Sequence, residues 1–160
     1  MSKNLPLRQK SRENLALGDT ARKNFEFFQF TNDLQKEWDD FVIANKRGSI
    51  HQVSDFKKLQ EKIPGRGPVL GFGVRDKKSR EILATVFCVK MQTGFLSKFW
   101  WYSARGPVFN DGAEEAVKFL LKKSRDFLQK QEKGLFWRLD PYLELQDADI
   151  FAGFSTKLAT

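Results

Sequence analysis

The sequence predicts an α/β fold in which helices cover both faces of a mixed β-sheet. Strand-like apolar segments alternate along the chain with segments whose apolar residues recur at the three- and four-residue spacing of helices. Residues 81–91 are apolar on both alternating faces, which is typical of a strand covered on both sides. The length of 160 residues suits one domain with a core of useful size.

The first half of the chain is predicted to hold one strand and two helices. Residues 25–30 form the strand, and Thr31 or Asn32 caps the helix that follows. The buried stripe of this first helix is Leu34, Trp38, Phe41 and Val42. The second helix starts near Ser54, and its predicted inward side chains are Phe56, Leu59 and Ile63. Two prolines and two glycines then predict a loop at residues 64–68.

The second half is predicted to start with three strands, joined by short turns into an antiparallel meander at residues 69–75, 81–91 and 98–102. The longest helix follows at residues 112–132, with the apolar stripe Ala113, Ala116, Val117, Leu120, Leu121, Phe127 and Leu128. Further elements are predicted at residues 135–139 (strand), 143–151 (short helix) and from Gly153 (strand). This order of elements resembles an acyl-CoA N-acyltransferase-like (GNAT) domain.

The formal net charge is +8, and residues 1–23 carry half of it. These residues contain six basic and two acidic side chains, a net charge of +4, with little apolar periodicity. We expect a mobile basic tail ahead of a domain at residues 24–160. The tail either keeps the protein soluble or contacts RNA phosphates or anionic lipid headgroups.

Several classes of site are disfavoured. Cys88 is the only cysteine, so the chain holds no internal disulfide and no cysteine-based zinc site, as suits a reducing cytoplasm. We expect Cys88 to be a core residue. His51 is the only histidine, and no metal-binding spacing surrounds it. The long helix opens with a single glycine beside Asp111, which would repel phosphate, so a CoA-dependent acyltransferase is disfavoured and no cofactor is expected.

An aromatic strand runs directly into Arg105, Gly106 and Pro107, and polar residues follow before the long helix. Such a turn presents a cation and backbone N–H groups at the end of a strand, where ligands bind in α/β folds. The alternative is a rigid turn in which Arg105 pairs with Asp111 or Asp140.

Four motifs in order resemble the FemA/FemB/FemX family of aminoacyltransferases, over residues 25–160. They are Trp38-Asp39-x-Phe41 with Ile50-His51-Gln52 and Phe56; Tyr102-x-x-Arg105-Gly106-Pro107-Val108-Phe109 with Asp111; Phe136-Trp137-Arg138-Leu139-Asp140-Pro141; and Gly153-Phe154. The resemblance implies transfer of an amino acid from aminoacyl-tRNA to the stem peptide of a peptidoglycan precursor, either UDP-MurNAc-peptide or lipid II, in bacterial cell-wall biosynthesis.

The resemblance also implies two GNAT-like domains, of which this chain is the first, so we expect the isolated chain to be inactive. It implies a cytoplasmic protein and leaves open a peripheral position at the inner face of the plasma membrane. Tyr102 and Arg105 are implied to line the precursor site. The family's acidic position falls on Asn110, with Asp111 one residue later, and its lysine on the second helix falls on Gln60.

Lys57 and Lys58 are the candidates to replace that lysine, and each is equally explained as a solvated helix residue. No catalytic residue is identified. The alternative function is a non-catalytic or truncated GNAT-like module that contacts RNA or an anionic membrane through its basic tail.

Overall fold

A computed structural model of the chain describes residues 24–94, 98–131, 134–142 and 148–151. In this part the strands are β1 (Phe25–Gln29), β2 (Arg66–Asp76), β3 (Ile82–Gln92), β4 (Phe99–Ala104), β5 (Val108–Phe109) and β6 (Trp137–Asp140). The α-helices are α1 (Gln35–Ala44), α2 (Ser54–Gln60), α3 (Glu114–Gln131) and α4 (Ala148–Phe151). Short 3₁₀ helices precede α1 and α2, at Asn32–Leu34 and Ile50–Gln52.

The strands form one mixed sheet in the order β1-β2-β3-β4-β6. The first four are antiparallel neighbours, which confirms the predicted meander. The strands β4 and β6 are parallel, and α3 makes the crossover between them. One edge of β3 pairs with β4 over residues 89–92 and with β5 over residues 84–85. Residues 86–88 therefore face the place where the chain leaves β4 and turns towards β5.

Side chains of β3 alternate between two apolar clusters, one on each face of the sheet. Ala84, Val86 and Cys88 pack in the larger cluster, with residues from α3 and α4. Phe87 and Val89 pack in the smaller cluster, with residues from α1. This alternation confirms that helices cover both faces of the strand. Burial raises the pKa of the Cys88 thiol to about 12, as suits the predicted core residue.

The stripe predicted for the long helix is confirmed. Its members Ala116, Val117, Leu120, Leu121 and Leu128 are buried in the larger cluster. They recur at spacings of three, four and seven residues, so they share one side of α3. Charged residues occupy the opposite side, and acidic residues lie in the first turn, where the helix dipole favours them.

Three local predictions were wrong. Leu59 is 56% exposed, whereas its polar neighbour Gln60 is buried, so α2 turns a different side inward than its apolar residues predicted. The strand β2 begins at Arg66, inside the predicted loop, because Arg66 pairs with Met91 of β3. The two-residue strand β5 was not predicted. The basic tail, the start of the last helix and the strand from Gly153 lie outside the described residues.

Candidate functional site

The parallel strands β4 and β6 end side by side, with Ala104 opposite Asp140. Ligands of open α/β sheets bind beyond the carboxyl ends of such strands. Residues 104–107, called the Arg105 turn below, follow β4 at this edge, and residues 108–111 continue from it to α3. The predicted candidates Tyr102 and Arg105 therefore lie at the edge of the sheet where a ligand is expected.

Arg105 is exposed and has a left-handed backbone, with a φ of 52°. Among the described residues it makes no hydrogen bond or ion pair, so the alternative in which Arg105 pairs with Asp111 or Asp140 is not seen. Gly106 and Pro107, by contrast, are buried, and the peptide bond between them is cis. The turn thus holds its backbone inside the protein and presents the guanidinium to solvent.

Gln52 holds the beginning of the Arg105 turn and is fully buried. Its Nε2 donates to the carbonyl oxygen of Ala104 at 2.7 Å, and its Oε1 accepts from the backbone N–H of Phe87 at 2.8 Å. Sequence reasoning placed Gln52 only within a motif and missed these contacts. No local signal could have revealed them, because Ala104 lies 52 positions further along the chain.

Asp111, at the other end of the segment, is held by two cations from the region after α1. Arg47 Nη1 donates to Asp111 Oδ1 at 2.6 Å, and Lys46 Nζ lies 3.0 Å from Oδ2. Arg47 is 2% exposed and stacks over the ring of Phe109, with 4.4 Å from Cζ to the ring centroid. The hydrogen bonds from Arg47 and Lys46 hold the pKa of the Asp111 carboxyl below its usual range.

Asn110 is also tied to this region, since Asn45 Nδ2 donates to its Oδ1 at 2.9 Å. Asn45, Lys46, Arg47 and Gln52 all lie in residues 45–52, called the 45–52 connection below, between α1 and α2. Residues 104–111 are therefore held in place by hydrogen bonds and ion pairs to this connection. Sequence reasoning missed Arg47, whose buried cation is unusual for a residue type that is normally exposed.

Tyr102 is half-buried on β4, and its hydroxyl donates to Asp140 Oδ2 at 3.4 Å. Arg138, one strand away, is exposed and has its Cζ 5.8 Å from the centre of the Tyr102 ring. A hydroxyl, a carboxylate and an arginine therefore meet on β4 and β6, and Arg105 follows directly after the end of β4. Such groups can bind a ligand that carries phosphate and amide groups.

Lys57 and Lys58 lie on α2 and have acidic neighbours on or next to that helix. Lys57 Nζ is 2.7 Å from Glu61, and Lys58 Nζ is 3.0 Å from Asp55. Gln60, at the position of the family's lysine, is buried and accepts a hydrogen bond from Arg66. The role of Lys57 and Lys58 in substrate binding stays a prediction.

Within the described ranges, no group of three or more His, Cys, Asp or Glu side chains is arranged to hold a metal ion. None of the described helices is long and apolar enough to cross a bilayer.

The FemAB family model matches residues 34–157 of the chain. A solved structure of FemX superposes with a TM-score of 0.64 and 20% identity, covering 80% of this chain and 31% of FemX. A probable acetyltransferase gives a TM-score of 0.62 at 7% identity, covering 82% of this chain and 89% of its own. An aminoglycoside acetyltransferase from an uncultured soil metagenomic sample gives a TM-score of 0.59 at 14% identity, covering 87% of this chain and 91% of its own.

These likenesses establish the fold as that of the GNAT acetyltransferases. The chain spans about a third of the length of FemX, and nearly the whole length of each of the two acetyltransferases. The search of curated proteins gave no significant match.

Proposed function

The chain belongs to the FemAB family, and on that basis we propose that it is an aminoacyltransferase domain of bacterial cell-wall biosynthesis. In this proposal the domain binds a peptidoglycan precursor, UDP-MurNAc-peptide or lipid II, and helps to transfer an amino acid from aminoacyl-tRNA to its stem peptide. A second GNAT-like domain completes the enzyme, and the chain alone binds the precursor without turning it over.

The proposed reaction forms an amide and releases tRNA. The amine nitrogen of the stem peptide attacks the ester carbonyl carbon of the aminoacyl-tRNA. The C–N bond forms, the ester C–O bond breaks, and the amine proton passes to the leaving ribose oxygen. Such a reaction requires close positioning of the two substrates and stabilisation of the oxyanion. We assign the positioning of the precursor to this domain.

The observation that carries the proposal is the exposed Arg105 at the carboxyl end of β4, in the family's most recognisable motif. An arginine binds phosphate through two parallel N–H groups, which suits the diphosphate of the precursor. Because Arg105 has no ion pair within the described residues, a phosphate would not have to displace an acidic side chain. Its guanidinium is therefore available to the ligand.

The other proposed contacts lie on β4, on the segment between the Arg105 turn and α3, or on α2. They are Tyr102, Asn110, Asp111, Lys57 and Lys58. Of these, Asn110 and Asp111 already bind the 45–52 connection, so we assign them to holding the site as well as to contacting the precursor.

The net charge of +8 supports the proposal that aminoacyl-tRNA is the second substrate, because tRNA is a polyanion that a basic protein attracts. We further propose that the protein is cytoplasmic. If lipid II is the precursor, the protein works at the inner face of the plasma membrane, where its basic surface meets anionic lipids.

A titration of UDP-MurNAc-pentapeptide by isothermal calorimetry tests the proposal, with the Arg105→Ala variant compared with wild type. The matched control is Arg80→Ala. Arg80 is also exposed and also has a left-handed backbone, with a φ of 67°, but it pairs with Glu26. We expect Arg105→Ala to weaken binding by about tenfold or more, as for a lost hydrogen bond to a charged group, and Arg80→Ala to change it little.

Equal losses in the two variants would mean that only net charge matters, and would contradict the role of Arg105. If wild-type protein does not bind the precursor, the proposed function is wrong for this chain.

A further inference from the structure

We infer that Gln52 is a positioning residue for the Arg105 turn. It contacts no substrate in this inference. Instead, its buried carboxamide fixes where the chain leaves β4, and so fixes where the guanidinium of Arg105 is presented. The expected effect on precursor binding rests on the proposed function, whereas the positioning of the turn by Gln52 does not.

The carboxamide of Gln52 bridges two strands at the point where they part. Beyond Val89 and Tyr102, the ladder between β3 and β4 stops, and Ala104 and Phe87 carry backbone groups that no longer pair with each other. Gln52 donates to the Ala104 carbonyl at 2.7 Å and accepts from the Phe87 N–H at 2.8 Å. Its side chain therefore supplies the hydrogen bonds that Phe87 and Ala104 would otherwise make to each other across the sheet.

An amide performs both tasks at this position. A carboxamide offers a donor and an acceptor side by side, whereas an ionised carboxylate only accepts and an apolar side chain does neither. Both partners are backbone groups, and the Phe87 N–H lies buried beside the fully buried Gln52, so water does not replace its lost hydrogen bond without a rearrangement. We expect the turn to move, since Phe87 is fixed within the core.

The turn itself is fitted to this carboxamide. A Cβ built on Gly106 would lie 2.6 Å from Gln52 Nε2 and 2.8 Å from its Cδ. These separations are too short for any side chain at this position unless Gln52 moves. Glycine in the Arg-Gly-Pro motif is therefore explained by the close approach of Gln52 rather than by a left-handed backbone.

Gln52 is in turn fixed through its own backbone. The indole Nε1 of Trp38, a fully buried residue of α1, donates to the Gln52 carbonyl at 2.8 Å. The chain of contacts thus runs from the apolar cluster around Trp38, through Gln52, to Ala104 and Gly106. Rigid support of this kind is what a binding residue on a turn requires.

The test compares Gln52→Met with Arg105→Ala and with a control, Leu128→Ala. Methionine keeps the length of glutamine but has no amide. Leu128 is buried near the far end of α3, so its truncation destabilises the core away from the turn. Two readouts are needed: affinity for UDP-MurNAc-pentapeptide, and the ¹H–¹⁵N resonances of Arg105 and Gly106 without ligand.

We expect Gln52→Met to shift both resonances and to weaken binding by about tenfold, close to the loss in Arg105→Ala. Leu128→Ala should leave both resonances in place and bind within about twofold of wild type, although it is the less stable protein. If Gln52→Met fails to fold, Gly106→Ala is the second variant, since its Cβ displaces the Gln52 carboxamide; its readouts are the affinity and the Arg105 resonance.

Wild-type affinity in Gln52→Met with unshifted resonances would overturn the inference. If wild-type protein does not bind the precursor, the proposed function fails, and the resonances alone decide whether Gln52 positions the turn. Binding losses of equal size in Leu128→Ala and Gln52→Met would also overturn it, because general destabilisation would then explain both.

Discussion

Two regions of the molecule hold the sheet in opposite ways. On one face, α3 packs against the strands through aliphatic side chains such as Leu120 and Leu121, which are fully buried. At the carboxyl end of β4, the 45–52 connection holds residues 104–111 through directed polar contacts from Gln52 and Arg47. Apolar packing is not directional, and many arrangements satisfy it. Polar contacts fix particular atoms, so the first region supplies stability and the second supplies the geometry of the site.

The largest expected effect is on stability, in the apolar region. Leu120→Ala removes a fully buried side chain, and we expect the free energy of unfolding to fall by about 2–5 kcal/mol. Urea unfolding followed by tryptophan fluorescence measures it. The control Lys122→Ala, on the exposed side of the same helix, should stay within about 0.5 kcal/mol of wild type. A similar loss of unfolding free energy in both variants would contradict the assignment of stability to the apolar side of α3.

Gln52→Met gives the next largest effect and comes from the polar region. It leaves the buried Phe87 N–H and the half-buried Ala104 carbonyl without their hydrogen bonds, and we expect a loss of about 1–3 kcal/mol in the free energy of unfolding. The same urea titration measures it. A stability equal to that of wild type would show that the two backbone groups find other partners.

Asp111→Asn tests the end of the polar region through pH. Arg47 and Lys46 lower the pKa of Asp111 in the folded protein, so its ionised form adds stability above the ordinary carboxyl pKa of about 3.9. That contribution is lost as the pH falls through the lowered value. Wild type should therefore exceed Asp111→Asn in urea midpoint at pH 7, and the gap should narrow progressively as the pH falls below the ordinary carboxyl pKa. A gap that does not change with pH would exclude this ion pair as its source.

The two regions also differ in how well the sequence predicts them. The stripe of α3 and the two apolar faces of β3 follow from residue spacing, because helix and strand periods fix which side chains share a face. The same logic failed on α2, where Glu61 and Gln60 bind the start of β2 and exposed Leu59 lies outside. Arg105 was predicted from its place after a strand. The residues that hold its segment at either end, Gln52 and Arg47, were not, since contacts across 52 and 64 positions leave no local pattern.

The smallest expected effect on stability belongs to Arg105→Ala. This variant distinguishes a role of Arg105 in binding from a role in stabilising the fold. Arg105 is exposed, and alanine at a φ of 52° bears a strain similar to that of arginine, so the free energy of unfolding should change by no more than about 0.5 kcal/mol. Arg47→Met, which removes a buried guanidinium between Phe109 and Asp111, should cost more in the same urea titration. If Arg105→Ala proves the more destabilising of the two, Arg105 holds the fold, and the turn is support rather than site.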